Sequence, residues 1–224
     1  MKLYMHPVST ASRPVRLLIA EHGIPCEEET VDILQGAHYQ EPYASLNPNR
    51  LVPMLEDGDL RLTESSAIMK YLADKQDLPV YPKDLKKRAK VNEAMDWINT
   101  QFYHSYGYGL VYPQLFPHHK RRSEEAHEGA IAWGQQDAKK WLQVLNDHWI
   151  GPKNDYLAGS QLTIADYFGA SVVSIGDLIG CDLAPFPNVQ RWLANMRKLK
   201  SWGKVNEVFE GYAAANKGKA FVGI

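Results

Sequence analysis

Apolar and polar positions change their spacing along the chain, and these changes predict its first elements. The stretches Lys2–His6 and Glu27–Val31 are typical of short strands, while Ser12–His22 repeats apolar residues at helical spacing. Pro14 fits the first turn of that helix, and Gly23 ends it. Because a helix joins the two strands, we expect them to pair in parallel.

A hairpin pattern follows in the segment 47–67. Val52-Pro53 opens a short apolar run, Asp57-Gly58 is a turn signal, and Leu60 and Leu62 alternate on the return strand. Helical spacing resumes over Ser65–Ala73. A cis Val52-Pro53 bond would leave the Val52 N–H and C=O free to pair with an extended peptide. The helix start at Glu64-Ser65 offers N–H groups to a carboxylate. The segment therefore predicts a peptide clamp beside a carboxylate pocket.

The rest of the chain is predicted to be helical. Residues 1–75 form the α/β part, a proline-rich linker follows over 76–84, and 85–224 form an all-helical domain. Apolar periodicity predicts four long helices, at Arg88–Tyr103, Ala126–Trp149, Thr163–Leu178 and Pro187–Leu199. Thr163 and Asp166 have the spacing of a capping box, so we expect Asp166 to be structural. Gly107 and Gly109 predict a break or kink.

Composition narrows the possible partners and the compartment. The chain is 45% hydrophobic with a net charge of −1, which supports a packed core and argues against a nucleic-acid partner. No apolar run is long enough for a membrane span, and the first residues do not resemble a signal peptide. Cys26 and Cys181 do not form a disulfide framework. We therefore expect a cytoplasmic protein with free thiols.

The pattern Val52-Pro53 followed by Glu64-Ser65-Ser66-Ala67 resembles the glutathione site of the glutathione S-transferases. The resemblance extends over the whole chain and implies a thioredoxin-like α/β domain followed by an all-helical domain. It also implies glutathione as cosubstrate, no metal, and a homodimer. Its residue matches imply that Val52 and Pro53 contact the peptide, Glu64 the γ-glutamyl ammonium, and Ser65 the carboxylate, with Ser66 nearby.

The chemistry is expected between the first strand and the first helix. A thiol attacks as its thiolate, so the site must lower the thiol pKa with a hydroxyl donor and a helix N-terminus. Ser9, Thr10 and Ser12 are the candidate hydroxyls. Family members of the theta- and delta-like classes carry a serine donor where Ser9 stands, which favours Ser9. Thr10 stays an alternative, Ser12 fits a helix N-cap best, and Tyr4 lies too early in the strand.

Two residues match family positions at the glycyl end of glutathione. His38, in Gly36-Ala-His38, resembles a histidine near the glycyl carboxylate in serine-type classes. Arg50 stands where delta-like enzymes carry a histidine, which keeps a cation but departs from the class pattern. Tyr103, Tyr106, Tyr112 and Phe116, with Tyr108, could stack on an aromatic electrophile or belong to the core. His118 and His119 lack the spacing of metal ligands. We expect them to lie at a solvated helix start.

Three functions remain open on the sequence. The leading one is a transferase that joins the glutathione thiolate to a small hydrophobic electrophile. The second is a glutathione-dependent cis–trans isomerase, since the loop before the first helix resembles the zeta-like signature S-S-C-x-x-R-V-R. Ala11 replaces the cysteine of that signature and Pro14 its first arginine, which weighs against this function. The third is a non-catalytic binding or regulatory protein. In the helix Arg88–Tyr103, two apolar stripes suggest one face for the core and one for the partner subunit of a dimer.

Overall fold

A computed structural model describes residues 1–224, and a four-stranded sheet forms its N-terminal part. The strands are β1 (Lys2–Met5), β2 (Glu27–Thr30), β3 (Met54–Asp57) and β4 (Leu60–Leu62), in the order β2-β1-β3-β4. β1 and β2 are parallel, as predicted, and β1–β3 and β3–β4 are antiparallel. The helices of this part are α1 (Ser12–His22), α2 (Tyr43–Leu46) and α3 (Ser65–Lys75). This is the thioredoxin-like arrangement that the resemblance implied.

The two faces of the sheet bury different side chains, because successive residues of a strand point to opposite sides. Leu3, Met5 and Leu55 join the large core that includes α1, α3 and the helical part. Tyr4 and Met54 face the other way and pack with residues of the loop after β2 and of α2. Tyr4 therefore belongs to a small apolar cluster on the other face of the sheet, away from the large core.

The helical part contains α4 (Leu85–Trp97), α5 (Tyr112–Leu115), α6 (Glu124–Val144), α7 (Ile164–Val173), α8 (Pro187–Met196) and α9 (Trp202–Asn216). Between α4 and α5 the chain continues in π-helical turns, Ile98–Phe102 and His104–Val111, and α6 continues in the same way through Leu145–Ile150. None of these helices combines the length and apolarity needed to cross a bilayer.

Gly109 permits a close helix crossing, and the break predicted at Gly107 and Gly109 does not occur. The chain stays helical through both glycines. A Cβ atom added to Gly134 of α6 would lie 2.2 Å from the carbonyl oxygen of Gly109. The two backbones can approach this closely only because both positions lack a side chain.

Asp166 fixes the start of α7, as the capping box predicted. Its carboxylate accepts hydrogen bonds from the backbone N–H groups of Leu157 and Thr163, both at 2.8 Å, and from Trp192 Nε1 at 2.9 Å. Burial raises the pKa of Asp166 to about 6, and these donors oppose the rise. Asp166 is a structural residue.

The second apolar stripe predicted on α4 is not free to meet another subunit, and that prediction was wrong. One stripe consists of Ala89, Met95 and Ile98, and the other of Val91, Ala94 and Phe102. All of them are buried inside this chain except for Ala89, which is exposed. The physical reason is that α4 packs against α7 and, through Trp97, against the rings of Trp141 and Trp149.

Arg13 of α1 joins the α/β part to the helical part. Its side chain is fully buried, and its guanidinium donates to Ser171 O at 2.7 Å, Ser174 Oγ at 3.0 Å and Asn206 Oδ1 at 2.9 Å. The guanidinium carbon lies 3.6 Å from the ring centroid of Phe209. No carboxylate accepts from Arg13, and burial lowers its pKa to about 10. Carbonyl, hydroxyl and amide oxygens therefore take the place of a counter-ion.

Candidate active site

The segments that the sequence patterns predicted to bind a ligand lie together at one edge of the sheet, where the strands end. Tyr4 pairs with Met54 and Leu55 with Leu62, so β1 ends where β3 begins and where β4 ends. The loop after β1, the Val52-Pro53 segment and the N-terminus of α3 consequently meet at this edge. β2 is parallel to β1 and ends there too, which brings the loop carrying His38 to the same side.

Ser9 lies at the entrance to α1. Its Oγ accepts from the backbone N–H of Ser12 at 3.2 Å, which leaves its own hydroxyl proton free to donate. The backbone N–H groups of Thr10 and Ala11 form no hydrogen bond within the protein. A partly exposed hydroxyl thus lies beside two free N–H groups at the N-terminus of α1, an arrangement that suits an anion.

Ser12 has a different place from the one its sequence predicted. It is the first residue of α1, it is fully buried, and its Oγ accepts from the backbone N–H of His6 at 3.4 Å. The predicted N-cap role is wrong, because the oxygen that accepts from the helix start belongs to Ser9.

The Val52-Pro53 segment presents free backbone groups. The peptide bond is cis, and neither the N–H nor the C=O of Val52 forms a hydrogen bond within the protein. The preceding carbonyl, that of Leu51, is held by the Tyr43 hydroxyl and by Asn47 Nδ2 at 2.8 Å. A fixed turn therefore exposes one donor and one acceptor that an extended peptide can pair with.

Glu64 and Ser65 lie at the start of α3 and form a second part of the candidate site. Glu64 has a φ of 64°, in the left-handed region that glycine favours, and its side chain is exposed. Ser65 opens α3, is mostly buried, and its hydroxyl makes no hydrogen bond with other protein groups. Because no side chain caps α3, its first N–H groups are available to an anion. Ser66 follows in the same turn and is partly exposed.

His38 and Arg50 lie on the loops that leave this edge. His38 is partly buried, its Nδ1 has no hydrogen-bond partner, and its ring lies 3.9 Å from that of Tyr39. Burial lowers the pKa of His38, and the nearby His118 lowers it further. Arg50 is exposed, and its φ of 54° is also in the left-handed region.

The aromatic cluster after the π-helical turns borders the Ser9 loop. The Tyr112 hydroxyl donates to Thr10 Oγ1 at 2.7 Å, and the Tyr103 and Tyr112 hydroxyl oxygens are 2.6 Å apart. Tyr108 packs on both of these rings with centroids 5.2 Å apart, and Phe116 lies 5.5 Å from Tyr112. These rings form one wall beside the candidate thiol site.

Tyr106 does not belong to this wall, which corrects its assignment to the electrophile pocket. Its side chain is fully buried, its ring stacks on Phe102 at 4.9 Å, and its hydroxyl donates to Val173 O at 3.3 Å. The Tyr106 side chain thus points into the core rather than toward the rings of Tyr103 and Tyr112.

His119 is a residue of the wall that the sequence did not reveal. It lies in the single helical turn Pro117–His119, and its ring centroid is 5.6 Å from those of Tyr108 and Tyr112. The expectation of a solvated helix start was therefore wrong for His119. The one available signal was its position directly after the aromatic cluster.

Comparison with known proteins agrees with this geometry. Residues 1–74 match the N-terminal domain of glutathione S-transferases, and residues 120–200 match the C-terminal domain. The human glutathione S-transferase theta-2B is 34% identical over 168 residues, covering 74% of this chain and 67% of the relative. Drosophila melanogaster glutathione S-transferase D7 is 30% identical over 203 residues, covering 89% of this chain and 85% of the relative.

Solved structures show the same architecture. Human glutathione transferase theta-2 in complex with glutathione superposes with a TM-score of 0.84 at 27% identity, covering 99% of this chain and 92% of that one. A delta-class glutathione transferase from Nilaparvata lugens gives 0.79 at 30% identity, covering 98% and 99%. The theta and delta relatives agree with the serine-type resemblance. With both domains matched and relatives of this similarity, the chain belongs to the glutathione S-transferase family.

Proposed function

We propose that this transferase binds glutathione at the sheet edge and activates its thiol for attack on a small hydrophobic electrophile. The observation that carries the proposal is the set of unpaired donors around Ser9. A hydroxyl proton and two backbone N–H groups favour the charged form of a sulfur placed there, and so lower its pKa. The thiol proton leaves to solvent, the thiolate forms a carbon–sulfur bond, and the electrophile releases its leaving group with the bonding electrons.

The free polar groups of the site match the remaining parts of glutathione. The Val52 N–H and C=O would pair with its cysteinyl backbone, next to Pro53. At the γ-glutamyl end, Glu64 would take the ammonium, and Ser65 with the N-terminus of α3 would take the carboxylate, near Ser66. The glycyl carboxylate would lie toward His38 and Arg50.

The electrophile would lie against Tyr103, Tyr112 and Phe116. Their rings offer a flat apolar surface of the kind that aromatic compounds stack on. His119 would add a nitrogen at the border of that surface. Holding the electrophile near the thiolate supplies the proximity that a two-substrate reaction needs.

We also propose a homodimer, as the family resemblance implies. The large apolar side chains that the fold leaves exposed include Leu51 at 62% and Leu85 at 81%. These two lie beside the candidate glutathione site and at the start of α4. A self-complementary interface would cover them on both subunits.

Binding to immobilised glutathione, with elution by free glutathione, tests the first half of the proposed function. The second half is tested with a panel of an aryl halide, an alkyl halide, an epoxide, a hydroperoxide and a substrate of cis–trans isomerisation, in which glutathione consumption and substrate turnover are both measured. We expect the protein to be retained on immobilised glutathione and to consume glutathione with at least one compound of the panel. Retention without consumption would favour a binding protein, and turnover of a cis–trans substrate without consumption would favour an isomerase. Failure of retention and consumption together would contradict the proposal.

A further inference from the structure

Three hydroxyl groups form a chain from the helical part to the Ser9 loop. The Tyr103 and Tyr112 oxygens are 2.6 Å apart, and the Tyr112 hydroxyl donates to Thr10 Oγ1 at 2.7 Å. Tyr112 and Thr10 are both buried, at 8% and 7% exposure. The contact between them spans 102 positions in the sequence and joins the two parts of the molecule.

Proton counting gives the chain a direction. Each phenol carries one proton, and Tyr112 uses its proton on Thr10, so Tyr103 must donate to the Tyr112 oxygen. Burial raises the pKa of Tyr112 to about 12 and that of Tyr103 well above its ordinary value, so both phenols stay protonated at neutral pH. Both protons therefore point toward Thr10.

Thr10 stands at the end of this chain and adjoins Ser9 in the loop. Its Oγ1 already accepts from Tyr112, and its own hydroxyl lies close enough to Tyr103 to oppose the rise in the pKa of that phenol that burial causes. Its backbone N–H forms no hydrogen bond within the protein. Hydrogen bonds in series polarise one another, so a hydroxyl that already accepts is a stronger donor.

We propose that Tyr112, supported by Tyr103, is a positioning residue that holds Thr10 so that the Thr10 hydroxyl donates to the glutathione sulfur beside Ser9. The proposal rests on the proposed function and extends it. One side chain would border the electrophile pocket with its ring and support the thiolate with its hydroxyl.

The test compares Tyr112→Phe, which removes only the hydroxyl, with the wild-type protein. Thiolate formation is followed by the ultraviolet difference absorbance of bound glutathione across pH, and the rate is followed with an aryl halide. At pH values below the thiol pKa we expect the rate to fall by about three- to tenfold, because one hydrogen bond to the anion is weakened. The rate should converge on wild type at high pH, and glutathione affinity should be unchanged.

A double-mutant cycle and a matched control sharpen this test. Thr10→Val should shift the titration in the same direction, and Thr10→Val with Tyr112→Phe should add little to it, because both act through one chain. Thr10→Ser should restore the wild-type titration. Tyr108→Phe should leave the thiol titration unchanged, because the Tyr108 ring lies in the same cluster while its hydroxyl makes no hydrogen bond.

Two results would overturn the inference. If Tyr112→Phe leaves the thiol titration unchanged and alters only the KM for the electrophile or the Tm, then the hydroxyl serves packing alone. In that case Ser9→Ala would still shift the titration, and the proposed function would stand. If wild-type protein does not ionise bound glutathione at all, both proposals fail.

Discussion

At the scale of single residues, Ser9 combines two tasks. Its oxygen accepts from the first N–H group of α1, and its proton stays free for a ligand. The Ser9 side chain is held in one orientation by this hydrogen bond before glutathione arrives. Preorganised donors of this kind stabilise a developing charge without reorganising during the reaction.

Ser9→Ala should retain glutathione binding and lose most thiol-transfer activity. The hydroxyl is placed to contact sulfur rather than the peptide, and one charge-assisted hydrogen bond contributes about 1.5–3 kcal/mol, or roughly one to two decades in rate. Steady-state kinetics with calorimetric glutathione titration would measure both effects. Ser45→Ala is the control, because Ser45 is an exposed serine of the same part of the chain. Full activity in Ser9→Ala would transfer the role to Thr10.

The positions of the candidate site residues were predictable where a local pattern fixes the backbone. Val52, Glu64 and Ser65 belong to short segments whose turn and helix-start signals are written in consecutive positions. Tyr106 and His119 were assigned wrongly for a different reason. Whether an aromatic or histidine ring faces a pocket or the core depends on neighbours from distant helices, and one sequence does not contain that information.

At the scale of elements, the crossing of α6 with the π-helical turns His104–Val111 is fixed by two glycines. Gly134→Ala should lower the free energy of unfolding by about 1–3 kcal/mol or more, because the new methyl group would overlap the Gly109 carbonyl. Urea unfolding would measure the change. Gly129→Ala on the same helix is the control: its added methyl meets nothing within 4 Å, and we expect about 0.5–1 kcal/mol of stabilisation.

The N-terminus of α3 supports a second prediction at this scale. Glu64→Ala and Ser65→Ala should each weaken glutathione binding far more than they shift the pH dependence of thiol ionisation, because both residues are assigned to the end remote from sulfur. Calorimetry combined with ultraviolet titration would separate the two quantities. Glu207→Ala, an exposed glutamate on α9, controls for loss of charge. Unchanged affinity in both site variants would remove the proposed γ-glutamyl pocket.

The periodicity of apolar residues predicted most of the helices and strands but not all of them. The bounds of α1 were predictable because Pro14 and Gly23 punctuate its two ends. The π-helical turns after α4 were not, since a change of hydrogen-bond register leaves the apolar pattern nearly helical. α9 was not predicted individually. Besides its buried residues, such as Val205 and Phe209, α9 carries an exposed Val208 and exposed alanines, which blur the amphipathic signal.

At the scale of the whole molecule, we expect a two-fold dimer with a mass of about 51 kDa, twice the 25.4 kDa of the chain. Light scattering at micromolar concentration would measure it. Leu85→Asp should shift the mass toward the monomer, because a two-fold interface repeats each substitution. Val208→Asp, at a site 50% exposed on α9, should not. A monomeric wild-type protein with full activity would contradict the dimer.

Arg13 bears on whether the two parts of this chain can be exchanged as modules. Its charge is neutralised by no acid, so its partners must be oxygens of α7, of the turn after it and of α9, at their present positions. A chimaera that joined residues 1–75 to helices of a relative without matching oxygens would bury a cation with nothing to accept from it. The thioredoxin-like part therefore depends on the helical part of its own chain. A graft between relatives must also carry over the oxygen acceptors that bind the Arg13 guanidinium.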